Sequence, residues 1–148
     1  MIIKEFRGQY RFLSNFYFSS FRLGEYPIIY LTVEHYYQSQ KAARQLDRIR
    51  IINCKTPGDA KRMGRTVKLI SVWDEVKDLV MKKGIKAKFH QNRRLLDLLL
   101  GTGDYLLIEG NYWHDNYWGD CYCPKCLRME GRNELGKILM EVRKEGRE

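Results

Sequence analysis

Glu34, Gln38 and Lys41 set a carboxylate, a carboxamide and an amine in one short stretch, Val33-Glu-His-Tyr-Tyr-Gln-Ser-Gln-Lys-Ala-Ala43. Wound as a helix at about 100° per residue, the three fall within about 60° of one another. Such a row can be an acid/base pair on the wall of a pocket. It can equally be a solvated face of ordinary i,i+4 and i,i+3 neighbours, and the spacing alone favours that second reading, because polar residues mostly lie outside. His35, Tyr36 and Tyr37 flank the row, and Ala42 and Ala43 allow close packing behind it.

Three other stretches carry groups that can do chemistry. Asn111-Tyr-Trp-His-Asp-Asn-Tyr-Trp-Gly-Asp120 crowds aromatic and acidic residues into a segment unsuited to a regular element. It suits a loop wall where rings hold a flat ligand beside a carboxylate, or an aromatic minicluster that merely buries a loop. Ser14-Asn15 interrupts an aromatic run between Tyr10 and Phe21; it fits a ligand-presenting loop or a turn that satisfies its own backbone. Cys121-Tyr-Cys-Pro-Lys-Cys126 has three thiols at Cys-x-Cys-x-x-Cys spacing. Structural zinc needs a fourth ligand, which His114 or Cys54 supplies only if the fold brings one of them there, so no metal ligand is assigned from sequence. A zinc hydrolase centred on these thiols is disfavoured, since nothing provides for a metal-bound water.

The 148 residues suit one domain, 1–148, long enough to bury a core without staples. Hydrophobic residues are 44% and charged residues 30%, a globular rather than disordered profile. No apolar run reaches membrane-span length and Met1-Ile-Ile-Lys-Glu5 does not read as a signal peptide, so a cytoplasmic protein with no membrane partner is expected. A disulfide framework is not expected in that compartment. The formal charge of +9 suits a polyanion or a phosphate-bearing substrate; the excess sits in 61–68, 82–94 and after Arg143.

The elements that must position these groups follow from pattern. Ile2–Phe6 reads as a short strand, and Phe21–Leu23 with Pro27–Leu31 as a hairpin around Gly24-Glu25. Thr32 is a good N-cap for the helix carrying Glu34, which is expected to reach Asp47 or Ile51. Pro57-Gly58 breaks the chain, and Asp59 caps a short helix, Ala60–Arg65. Ser71 opens a long amphipathic helix interrupted at Gly84; Arg93–Leu100 forms an apolar helix ended by Gly101. Tyr105–Glu109 reads as a buried strand, and Asn133 as the cap of a C-terminal helix with Leu135, Ile138, Leu139 and Val142 on one face. The fold class is α+β, predominantly helical, with a small antiparallel sheet.

Phe12-Leu-Ser-Asn-Phe-Tyr17, the Val33–Ala42 stretch, Ala60-Lys-Arg-Met-Gly-Arg65, Met81 to Phe89, Thr102-Gly-Asp104, Asp115-Asn-Tyr-Trp-Gly119 and Gly131-Arg-Asn to Arg143 occur in that order. Together they resemble the NADAR, or YbiA-like, family over nearly the whole chain. The resemblance implies N-glycosidase activity on a ribosyl C–N bond with no cofactor. Two substrate classes follow from it: ADP-ribosylated guanine in nucleic acid or nucleotides, and riboflavin-biosynthesis intermediates. It also places Glu34 and Lys41 in a Glu-His…Gln…Lys motif, Asp115 and Trp118 in Asp-x-x-Trp-Gly, and Asn133 in Gly-x-Asn. The Cys121–Cys126 segment departs from many relatives and concerns the edge of the pocket, not the reaction.

On that footing the catalytic set is Glu34, Lys41, Asp115 and Trp118. Glu34 serves as the carboxylate near the sugar or activates water, and Lys41 as leaving-group acid or Schiff-base amine. Asp115 is expected to orient ribose hydroxyls and Trp118 to stack on a ring. Ser14, Asn15, Gln38 and Asn133 are the hydrogen-bonding candidates, and Arg7, Lys61 and Arg65 the phosphate contacts; His35, Trp73 and Gly119 complete the substrate-binding set. The expected partner is a phosphate-bearing ribosyl substrate, with DNA or RNA carrying ADP-ribosylated guanine preferred on charge. The reading from a different class is a non-catalytic nucleic-acid-binding module with a Cys knuckle. Oligomeric state is not encoded in these patterns.

Overall fold

The computed structural model describes all 148 residues and is predominantly helical with short strands, an α+β fold as expected. The chain divides into two compact units, Asn15–Asn92 and Met1–Ser14 with Arg93–Glu148. No helix is long and apolar enough to cross a membrane.

In the unit Asn15–Asn92, β1 (Phe21–Leu23) and β2 (Ile28–Tyr30) form the expected antiparallel hairpin, Phe21 opposite Tyr30. Gly24 at φ 107 takes the left-handed position that the turn requires. Thr32 caps α1 (Val33–Lys41) as read from sequence, its hydroxyl oxygen accepting from the His35 N–H at 3.1 Å. Asn15 O accepts from the Glu34 N–H, so a second early donor of the helix is satisfied within the same unit.

The helix does not continue to Asp47 or Ile51. It stops at Lys41, where Ala42 bridges to Leu69 and Ala43 N–H donates to Lys68 O; a new helix, α2, covers Gln45–Ile52. Strand-like pairing with a distant segment overrides a run with ample helix propensity. α3 (Pro57–Gly64) is capped by Thr56 rather than Asp59, with Pro57 in the first turn where its missing N–H costs nothing. α4 (Trp73–His90) starts after Val72 with no side-chain cap, so Ser71 does not open it. It passes through Gly84 unbroken, because a Cβ there would run into the Tyr36 ring: the glycine serves helix contact, not helix termination.

In the other unit β3 (Ile2–Ile3) pairs in parallel with β4 (Leu106–Leu107). Both are shorter than the strands expected over Ile2–Phe6 and Tyr105–Glu109. A 3-10 helix spans Gly8–Leu13, and α5 spans Arg93–Gly101, its exit made by Gly103 at φ 58 rather than by Gly101. β5 (Gly110–Asn111) and β6 (Asp120–Cys121) also pair in parallel. The antiparallel sheet is thus the hairpin alone. α6 (Glu134–Glu145) buries Leu135, Ile138, Leu139 and Val142, the stripe read from the sequence.

Candidate active site

α1 is the feature that polar composition makes least expected. Its residues Val33 to Ser39 are all buried, including Glu34, His35, Gln38 and Ser39. The row of Glu34, Gln38 and Lys41 is therefore not a solvated face. Gln38 Nε2 donates to Glu34 Oε1 at 2.7 Å, while Gln38 Oε1 is buried and has no hydrogen-bond partner. Lys41 is half-buried at the helix end. Burial lowers its pKa below the usual 10.5; Glu34 pulls the other way, and Arg65 and Lys61 reinforce the lowering. Gly64 of α3 makes the approach possible, since a Cβ there would collide with the Gln38 carboxamide and press on Lys41 Cε. The result is a carboxylate, a buried amide oxygen without a donor and a desolvated amine on one helix face, with two cations near enough to act on that amine.

Several side chains expected to touch substrate have other duties in the structure. His35 is fully buried: Nε2 donates to Cys54 O at 2.9 Å, and Nδ1 accepts from the Thr32 hydroxyl at 2.8 Å. The Cys54 carbonyl can only accept, which fixes that tautomer. Trp73 is buried against Tyr37, ring centroids 5.1 Å apart. Asn15 is half-buried, and its Nδ2 donates to Met81 Sδ at 3.4 Å. Lys61, half-buried, holds Nζ 5.7 Å from the Phe16 ring centroid, and Arg65 is exposed at the C-cap of α3.

The remaining candidates lie in the other unit. Arg7 is exposed beside the 3-10 helix, and Ser14 is its half-buried C-cap. Asp115 Oδ1 accepts from the Tyr117 N–H at 3.1 Å and the Trp118 N–H at 2.9 Å, so this oxygen shapes the loop. Trp118 packs edge-on to Tyr117, centroids 4.8 Å apart, with the Arg132 guanidinium 4.5 Å from the Tyr117 centroid. The loop's carbonyls then serve α6: Tyr117 O accepts from Glu134 N–H, Trp118 O from Leu135 N–H, and Gly119 O from Asn133 N–H. A Cβ at Gly119 would collide with Glu109 O.

Asn133 is at the N-cap, yet it does not cap with its side chain. Its backbone is left-handed, φ 51, and its amide is engaged at both ends: Oδ1 accepts from the Glu109 N–H at 3.0 Å and Nδ2 donates to Leu107 O at 2.8 Å. The loop carbonyls replace the missing cap.

The structure thus gathers Glu34, Gln38, Lys41, Lys61 and Arg65 about α1, and Asp115, Trp118, Gly119 and Asn133 about the start of α6. One residue of interest escaped the sequence reading. Lys88 is 1% exposed, with Nζ 5.6 Å from the Tyr17 ring centroid and 5.1 Å from that of Phe89. The signal for it existed: Met81, Gly84, Ile85 and Lys88 follow the i, i+3, i+4, i+7 pattern of a buried stripe.

The NADAR domain model matches residues 3–147. N-glycosidase YbiA of Escherichia coli is 38% identical over 120 residues, which cover 77% of this chain and 69% of that protein. An N-glycosidase of Nostoc punctiforme is 42% identical over 123 residues, covering 77% and 72%. A riboflavin biosynthesis protein of Vibrio vulnificus is 34% identical over 140 residues, covering 90% of this chain but 35% of that longer protein. The solution structure of Escherichia coli YbiA superposes with a TM-score of 0.82 at 34% identity, over 98% of this chain and 83% of that one. The fold and the site define a helical α+β protein with a buried acid–amide pair and a half-buried amine on one helix. The chain belongs to the NADAR family. The relatives named N-glycosidase are hydrolases of N-glycosyl bonds.

Proposed function

We propose that this chain is an N-glycosidase that hydrolyses a ribosyl C–N bond, with the α1 row as its catalytic wall. The observation that carries the reading is the buried Glu34–Gln38 pair followed on the same helix by a half-buried Lys41 whose pKa burial lowers. Breaking this bond builds positive charge on C1′ and negative charge on the leaving nitrogen, and water finally supplies the hydroxyl to the one and the proton to the other. A carboxylate held out of bulk water stabilises the first charge strongly. Glu34 fills that role, held by Gln38.

Lys41 has two forms to offer. Its ammonium, a stronger acid than an exposed lysine, can protonate the leaving nitrogen. Its amine, present in larger fraction than at an ordinary pKa, can attack C1′, expel the base and open the sugar to an imine that water then cleaves. Borohydride added during turnover separates these routes, since only the second leaves a sugar fixed to Lys41. Asp115 is assigned no step, because its Oδ1 is held by two backbone N–H groups.

The proposed substrate carries phosphate, for which Lys61 and Arg65 beside Lys41 are the contacts. ADP-ribose attached to guanine is the preferred class, supported by the net charge of +9. A phosphorylated ribosylamine of the riboflavin pathway is the second reading, supported by relatives from Vibrio vulnificus and maize named riboflavin biosynthesis proteins. Both substrates are assayed side by side with chromatographic detection of released base or amine. Glu34→Gln should fold normally and lose at least about 10²-fold in kcat on whichever substrate the wild type cleaves. Full activity in that variant removes Glu34 from the chemistry. Salt-sensitive binding to nucleic acid with no release of base or amine from either substrate would instead favour the binding module.

A further inference from the structure

We propose that His114, Cys121, Cys123 and Cys126 form a structural zinc site that fastens the loop between β5 and β6. The ligand atoms of these four residues all lie within 4.8 Å of one another. His114 Nδ1 is 3.2 Å from Cys123 Sγ and 3.4 Å from Cys126 Sγ. A tetrahedral zinc with bonds of about 2.0–2.3 Å needs ligand atoms about 3.5–3.8 Å apart, so closing the site asks for only small adjustments. The fold settles which residue is the fourth ligand: His114 joins the thiols, whereas the Cys54 thiol donates to Arg50 O.

The surroundings are those of a built metal knuckle. The Cys123-Pro-Lys-Cys126 turn closes with Cys126 N–H donating to Cys123 O at 3.0 Å. The His114 N–H donates to Cys121 Sγ at 3.3 Å, the kind of bond that stabilises a ligating thiolate. Asn116 Oδ1 accepts from the Cys121 N–H at 2.9 Å, fixing the first thiol's backbone. His114 itself sits at φ 69, a left-handed conformation unfavourable for a residue with a Cβ by about 1 kcal/mol, and here it turns the imidazole toward the sulfurs.

Packing gives an independent reason. Pro124, Lys125 and Leu127 to Glu130 are all exposed, and the buried cluster of this segment consists of the three cysteines alone. Three thiols make too small an apolar core to hold ten residues of chain, the situation in which natural domains use a metal. Three thiolates and a neutral imidazole leave no open position, so the site is closed and holds no water for catalysis; sulfur-rich ligation favours zinc over magnesium or calcium. Binding replaces three S–H protons with three S–Zn bonds and releases those protons to solvent. His114 directly precedes Asp115, so the metal would also set the loop that caps α6.

The test uses the full chain, purified under reducing conditions without added metal or chelator. Elemental analysis should find about one zinc per chain, falling to about a tenth or less in Cys123→Ser, Cys126→Ser and His114→Ala, and retained in His114→Cys and Cys54→Ser. Because knuckle variants can lose folding along with metal, cobalt replacement in the wild type reads the ligand set directly. Thiolate-to-cobalt charge-transfer bands in the near ultraviolet with tetrahedral d–d bands at long visible wavelengths are expected. A wild type without stoichiometric zinc and without those bands overturns the proposal. So does zinc that survives the cysteine variants, iron in place of zinc, or a mass deficit of two hydrogens showing a disulfide.

Discussion

Asn133→Ala separates two roles that one residue position can play. If the amide contacts substrate, its loss acts on turnover; if it ties backbone together, its loss acts on stability. The structure predicts the second. Truncation removes the bond from the Glu109 N–H at 3.0 Å and the bond to Leu107 O at 2.8 Å, both within one unit. At about 1 kcal/mol for each bond, this is about 2 kcal/mol. Alanine must also adopt φ 51, left-handed, where asparagine is tolerated and alanine is not, adding about 1 kcal/mol. The sum is about 3 kcal/mol, read as loss of unfolding free energy in urea. Asn133→Gly loses the same bonds without the strain and should fall about 1 kcal/mol less. Asn133→Asp keeps the acceptor for Glu109 but aims a carboxylate oxygen at the Leu107 carbonyl, so it should be at least as damaging as alanine. Where the folded fraction is restored by low temperature, kcat of Asn133→Ala should be within about threefold of wild type. Unchanged stability with activity lost would refute this reasoning and return the residue to the substrate.

The other predictions concern α1 and its neighbour. Gly64→Ala should lower kcat by displacing Gln38 and Lys41 while costing about 1–3 kcal/mol of stability, whereas Gly101→Ala, whose Cβ would meet nothing within 4 Å, should leave both unharmed. An active Gly64→Ala with native stability would mean the close approach has no consequence. His35 has its pKa lowered from 6.5 by burial, with the Cys54 carbonyl opposing. The unfolded chain therefore binds the proton more readily than the folded one; His35's contribution is fully present above pH 6.5 and is lost as pH falls from there toward the folded pKa. Thermal melts from about pH 7.5 to about pH 5 should fall more gently in His35→Asn than in wild type, and parallel curves would count against the assignment.

Several local signals read correctly, though the caps of α3 and α4 did not: Thr56 rather than Asp59 caps the first, and Ser71 does not open the second. Thr32 caps α1 because its hydroxyl reaches an N–H three residues on, and the hairpin forms because Gly24 permits the turn. The α6 stripe is buried because its spacing leaves one apolar face. What the sequence left illegible depends on distant chain. Nothing near Lys41 says that the helix ends there; the pairing of Ala42 with Leu69 and of Ala43 with Lys68 does. Nothing near Gly84 says that it faces the Tyr36 ring. The motif residues were legible as a set, but not their division of labour: His35, Trp73 and Asn133 carry motif identities, yet their side chains are engaged by protein groups.

That division sharpens the case for Glu34 and Lys41. A helix of this composition ought to lie on the surface, and each polar side chain drawn inside needs a partner to offset lost hydration. His35 has Thr32 and Cys54, Ser39 has Tyr36 O, and Glu34 has Gln38. Gln38 Oε1 is the buried side-chain atom of α1 with no partner. A buried acceptor without a donor costs about 1–3 kcal/mol, which works against what the same amide contributes by donating to Glu34. The unmet acceptor falls between the buried carboxylate and the desolvated amine, one helical turn from each, and packs against Gly64 of α3. Gln38→Leu removes the unmet acceptor and with it the donor to Glu34, two opposing changes of about 1–3 kcal/mol each, so stability should shift little while activity is lost because Glu34 loses its amide. If Gln38→Leu were as active as wild type, the row would be packing, and the chemistry would lie elsewhere.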